Sequence, residues 1–150
     1  MKKIIIGLMI LLHAAFVKAA GNNDISDKIL QSFQKEFTNV SNVYWTSLDN
    51  KKIFRASFLY EGHSTVAFYD EGGDLLRTIR LISDEGLPIM IMRAISAGYN
   101  KYSINSVEEY SDDDMLYYVV TMQDEKKTVS VSFSPYGEIQ RVKKIKYKNF

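Results

Sequence analysis

Along the chain the spacing of apolar residues switches from a period of three and four to strict alternation, and then does so a second time. Between Asp24 and Asn39, the residues Ile29, Leu30, Phe33 and Phe37 recur at helical spacing, with Asp24 or Ser26 placed to cap the first turn and Asn39 to end the helix. Four short alternating runs follow: Val43 to Ser47, Ile53 to Tyr60, Ser64 to Tyr69 and Leu75 to Ile82. They are separated by Asp49-Asn50, Glu61-Gly62-His63 and Asp70-Glu71-Gly72-Gly73, all of them turn-forming residues. The order then returns. Leu87-Pro88 opens a second helix along Ile91, Ile95 and Tyr99, which Gly98 or Asn100 closes. Strand patterns succeed it at Ser103 to Tyr110, Met115 to Gln123, Thr128 to Ser134 and Ile139 to Lys146.

The two halves match in detail as well as in order. Ile29-x7-Phe37 is matched by Ile91-x7-Tyr99, and Phe54-x-Ala56-x-Phe58 by Tyr118-x-Val120-x-Met122. Phe68 before Asp70-Glu71-Gly72 is likewise matched by Phe133 before Pro135-Tyr136-Gly137. The pattern predicts an α+β protein of two tandem repeats, residues 24–82 and 87–148, forming one compact unit. Each repeat is a helix plus a four-stranded antiparallel meander, in two layers with the helices on one face of the sheet.

Alternation also sorts residues between faces. Phe54, Ala56, Phe58, Tyr118, Val120 and Met122 carry the bulk that a two-layer core needs, which places them under the helices. The other face then holds Ile53, Arg55, Ser57 and Leu59 in one half and Tyr117, Val119, Thr121 and Gln123 in the other. An antiparallel sheet with helices on one side leaves its second side to water or to a partner. Arg55, Leu59, Tyr117 and Val119 are therefore the candidate protein-binding residues.

The N-terminus changes the charge. Lys2 and Lys3, the apolar stretch Ile4 to Phe16 and the small residues of Val17-Lys18-Ala19 read as an export signal over residues 1–19. The stretch is shorter than the roughly 20 residues of a membrane span. Cleavage after Ala19 removes three lysines, leaving 19 − 3 = 16 basic against 18 acidic residues, so the apparent net charge of +1 becomes −2. The expectation is a soluble protein of the periplasm or cell exterior, with no stable membrane insertion after cleavage and no nucleic acid as partner. The chain has no cysteine, which excludes disulfides, thiol catalysis, bacterial-type lipidation and cysteine-containing zinc sites.

Val43-x-Trp45, the strand Phe54-Arg55-Ala56-Ser57-Phe58, the run from Val66 through Asp70-Glu71-Gly72-Gly73-Asp74 to Thr78, and Leu87-Pro88 before a helix form a set that resembles the PepSY-like exported proteins of Bacteroides and its relatives. The resemblance covers nearly all of the chain beyond the signal. It implies a fold similar to the β-lactamase-inhibitor protein and a module without enzymatic activity, cofactor or catalytic residues. The second half departs from the pattern, with Glu109 where the tryptophan falls and Ser134-Pro135-Tyr136-Gly137 in place of the aspartate-glycine turn.

Other candidate chemistry is thin. Trp45, the one tryptophan, reads as a core residue on the strand face of Val43, with an interface anchor as the alternative. Asp70, Glu71 and Asp74, and separately Asp112, Asp113 and Asp114, supply oxygen ligands for calcium, but neither has the EF-hand spacing, and hairpin turns use the same residues. His63 reads as a solvated turn residue. Arg141, Lys143, Lys144, Lys146 and Lys148 offer a surface for anions, or else guard a terminal strand against edge-to-edge aggregation, with Val142 and Ile145 supplying apolar contacts. Together these features describe a non-enzymatic module that binds or inhibits another exported protein, the alternative being a calcium- or small-ligand-responsive protein.

Overall fold

The computed structural model describes residues 25–146, so the expected export signal lies outside the described residues. The elements are α1 (Asp27–Glu36), β1 (Tyr44–Leu48), β2 (Ile53–Tyr60), β3 (His63–Asp70) and β4 (Leu75–Ile82), then α2 (Ile89–Gly98), β5 (Ser103–Ser111), β6 (Leu116–Gln123), β7 (Lys127–Phe133) and β8 (Ile139–Lys146). The strands form one antiparallel sheet in the order β1 to β8, each bonded to its sequence neighbour. Pairing of β4 with β5, from Thr78 opposite Ser111 to Ile82 opposite Val107, fuses the two meanders.

Local chemistry explains the helix ends. The Ile29 amide donates to Ser26 Oγ at 3.4 Å, while Asp27 in the first turn and Lys35 in the last suit the helix dipole. α1 stops at Glu36, short of Asn39, and Asn39 with its φ of 59° turns the chain toward β1. In α2, Pro88 occupies the cap itself, and its carbonyl accepts from the amides of Ile91 (2.9 Å) and Met92 (3.2 Å).

The core divides in two. Ile29 and Phe33 of α1 cluster with Trp45, Phe54, Ala56, Phe58, Ala67 and Tyr69. Phe33 meets the rings of Trp45 at 5.3 Å and Phe58 at 4.9 Å, both edge-on, so this half is held by interlocked aromatics. Ile91 and Ile95 of α2 cluster with Val107, Tyr118, Val120, Met122, Val129, Val131 and Phe133, which is largely aliphatic packing. Each fully buried side chain of this size contributes on the order of 1.5–3 kcal/mol. Both clusters lie on the same face, because Ala67 pairs with Thr78, and alternation carries that face through Arg80 to Ile82 and its partner Val107.

Three sequence expectations require correction. His63 is the first residue of β3 rather than part of the turn: Glu61 (φ 50°) and Gly62 (φ 82°) form the two-residue connection by themselves, and His63 pairs with Tyr60. Phe133 corresponds to Tyr69, not to Phe68. Tyr69 and Phe133 are both fully buried beside a register shift, opposite Leu75 and Ile139, whereas Phe68 falls on the other face. Finally, Val142 is exposed, on β8 at the edge of the sheet.

Candidate binding face

The face away from the two clusters is built by the pleat alone. Cross-strand register lays out a row of Ser57, Val66, Ile79, Tyr110 and Tyr117 from β2 to β6, and a shorter parallel row of Arg55, Phe68 and Arg77. In the next row, Leu81, Glu108 and Val119 lie opposite one another. Beyond Thr121 the face becomes hydroxyl-rich, with Thr121 Oγ1 and Ser130 Oγ 3.0 Å apart.

All four candidates lie on this face, in separate places. Arg55 is half-buried on β2, and Leu59 near the end of the same strand is 64% exposed. Tyr117 and Val119 are half-buried on β6, four strands away, about 19 Å at the usual interstrand spacing. The residues between them, Val66, Phe68, Ile79 and Tyr110, complete the surface. They had been legible in the alternation of β3 to β5, but only the register through β4 shows which of them are neighbours.

At the centre, the rings of Tyr110 and Tyr117 stack with centroids 4.8 Å apart and planes 11° from parallel. The Tyr110 hydroxyl donates to Glu108 Oε2 at 2.8 Å. Partial burial and this carboxylate push its pKa up to about 12, which keeps it a neutral donor. Arg77 Nη2 lies 3.8 Å from Asp112 Oδ2 at the rim. Of the other tyrosines, Tyr69 and Tyr118 are buried and Tyr60 packs on Phe37, while Tyr44, opposite Ser57 on the edge strand β1, extends the same row and is exposed; Tyr110 and Tyr117 are the stacked pair at its centre.

Trp45 belongs to the core, as expected of it. The acidic turns use their carboxylates internally. Asp70 Oδ1 accepts from the Asp74 amide at 2.9 Å, and Asp112 Oδ1 accepts from those of Asp114 (3.3 Å) and Met115 (3.0 Å). Among the described residues no three His, Asp or Glu side chains gather where a metal ion could be held. His63 Nδ1 lies 3.2 Å from the Leu81 carbonyl, which ties β3 to β4.

Neither a family model nor a curated protein matches the chain. Solved structures do. A DUF2874 family protein from Bacteroides uniformis superposes with a TM-score of 0.73 at 18% identity, over 80% of this chain and 89% of its own. A BLIP-like protein from Bacteroides fragilis gives 0.72 at 20% identity, over 83% and 89%. A third, from Bacteroides eggerthii and provisionally described as periplasmic, gives 0.73 at 15% identity, over 80% and 88%. At these identities the likeness is one of fold, and it supports the β-lactamase-inhibitor-protein-like architecture. Among the described residues no helix is long and apolar enough to cross a membrane.

Proposed function

We propose that this is an exported, non-enzymatic binding module that holds or inhibits another extracytoplasmic protein through the open face of its sheet. The observation that carries the reading is the Tyr110–Tyr117 stack, set in a row with Ile79 and Val66 on the side away from both core clusters. Rigid aromatics on a half-buried surface give contact area at little entropic cost, and tyrosine adds a donor. Arg55, Leu59, Tyr117 and Val119 are the proposed contact residues. The likeness of fold to a BLIP-like protein favours a binding role, by analogy of architecture. Residues 24–82 and 87–148 are read as two PepSY-like repeats, a kinship supported by their shared element order.

The test is capture from an envelope extract with the chain lacking residues 1–19 as bait, beside a double variant, Arg55→Ala with Tyr117→Ala. A partner retained by the first and lost by the second, with both proteins equally stable, supports the open face. Identical partner profiles defeat it.

A further inference from the structure

The second notable surface lies at the far edge of the sheet, away from the stacked tyrosines. Gly137, in the turn between β7 and β8, packs against the Met90 backbone, so the tip of that turn meets the first turn of α2. This contact gathers exposed apolar side chains at one corner: Ile89 (66% exposed) and Met90 from the helix, Tyr136 (78%) from the turn, and Ile139 where β8 begins. From that corner runs Ile139-Gln140-Arg141-Val142-Lys143-Lys144-Ile145-Lys146, with four cations and no acid, in a chain whose charge without residues 1–19 is −2. Arg141, Lys143 and Lys144 are exposed, and none of their side chains makes an ion pair or hydrogen bond among the described residues. The nearest acid in sequence is Glu138 in the turn.

We infer that this edge docks the protein on an anionic lipid surface, with Ile89, Met90 and Tyr136 entering the headgroup layer and Arg141, Lys143 and Lys144 facing the lipid phosphates. Exposed apolar side chains beside unpaired cations suit an anionic lipid interface. Tyrosine, with an apolar ring and a polar tip, is at home at headgroup depth. Flexible lysines attract a negatively charged surface without a fixed partner geometry. Arg141 and Lys143 lie on the open-face side of β8 and Lys144 on the helix side, so the cations straddle the edge; docking there leaves the Tyr110–Tyr117 stack, at least two strands inward, uncovered, and the inference stands whether or not that stack binds a protein. The cations also discourage strand addition at β8, a role that predicts solubility changes but no lipid binding.

The experiment is co-sedimentation of the chain lacking residues 1–19 with vesicles of phosphatidylcholine alone or containing phosphatidylglycerol. The expected result is binding to the anionic vesicles only, weakened by added salt as surface charges are screened. Replacing Arg141, Lys143 and Lys144 together by Gln should reduce that partition at least about tenfold. Ile89→Ser with Tyr136→Ser should lower it at unchanged salt dependence. Thermal melts of each variant exclude unfolding as the cause. Equal sedimentation with both vesicle types, or anionic binding that survives both sets of substitutions, overturns the inference. Absence of vesicle binding overturns it too, and would reassign the corner to a protein contact.

Discussion

Gly137 stands so close to Met90 that a Cβ on the glycine would lie 2.5 Å from the Met90 carbonyl oxygen. The same relationship appears 64 positions earlier, where a Cβ on Gly73 would meet the Lys28 carbonyl at 3.2 Å. In both places a hairpin turn with positive φ, after a buried ring and a register shift, presses on the first turn of a helix.

Gly137→Ala is therefore expected to destabilise the fold by more than about 2 kcal/mol, since backbone clash adds to a left-handed conformation costing about 1–2 kcal/mol for a residue with a Cβ. Gly62→Ala isolates the conformational part, because its φ is also positive but a Cβ there meets nothing within 4 Å. Urea unfolding should show the first loss to be clearly larger. Equal losses would mean that the turn moves freely off α2.

Much of this arrangement was readable in advance, and the main exception is one of strand pairing. Local pattern fixes the period of Ile53 to Tyr60, which agrees with the strand residue for residue, and Ser26 caps α1 as its chemistry predicts. What local pattern cannot supply is which strand becomes interior. Trp45 and Glu109 are 64 positions apart, yet β1 is an edge strand while β5 is paired on both sides. Glu109 thereby meets Arg80 at 2.7 Å in a polar seam between the two cores, where a tryptophan would leave the arginine unpaired. The match of Tyr69 with Phe133, by contrast, lies within the alternation: β3 keeps its pleat from Ala67 to Tyr69 and β7 from Val131 to Phe133, and the unpaired residues at the two register shifts are Leu76 of β4 and Gln140 of β8.

That seam yields a second prediction. Arg80 Nε and Nη2 both donate to Glu109 Oε1, at 3.0 and 2.7 Å, and burial, with the same carboxylate, raises the pKa of the Tyr118 hydroxyl. The pair is only partly buried, so water screens it. A double-mutant cycle on Arg80→Ala and Glu109→Ala should return a coupling of about 1 kcal/mol. Arg80→Ala should cost more than Glu109→Gln, because it leaves a carboxylate without its cation. Additive losses would show that the two halves are joined by the backbone ladder alone.

Tyr69 gives the opposite case. It is fully buried against Phe33 and Trp45, and its hydroxyl has no hydrogen-bond partner among the described residues. Burial, with Glu36 nearby, also raises its pKa. Tyr69→Phe removes an unsatisfied polar atom while keeping the ring, so stability should hold or rise by up to about 1 kcal/mol. Trp45→Ala, which opens a cavity in the same cluster, should cost about 3–5 kcal/mol. A destabilised Tyr69→Phe protein in thermal or urea unfolding would reveal a partner for the hydroxyl.

Alkaline pH should find the tyrosines on both faces of the sheet. Burial raises Tyr110 and Tyr118 from 10.0 to about 12, with Glu108 and Glu109 respectively adding to the rise. Such a group holds its proton longer folded than unfolded. Its contribution is therefore complete below pH 10 and is lost as pH climbs through about 12, where the folded protein ionises too. Between those values stability should fall, and Tyr110→Phe and Tyr118→Phe should each flatten the fall relative to the parent. Tyrosinate absorbance supplies the direct check: at pH 11 the unfolded chain should show more ionised tyrosine than the folded one, and Glu109→Gln should shift the late-titrating fraction downward. Identical absorbance in the two states would place both hydroxyls in water.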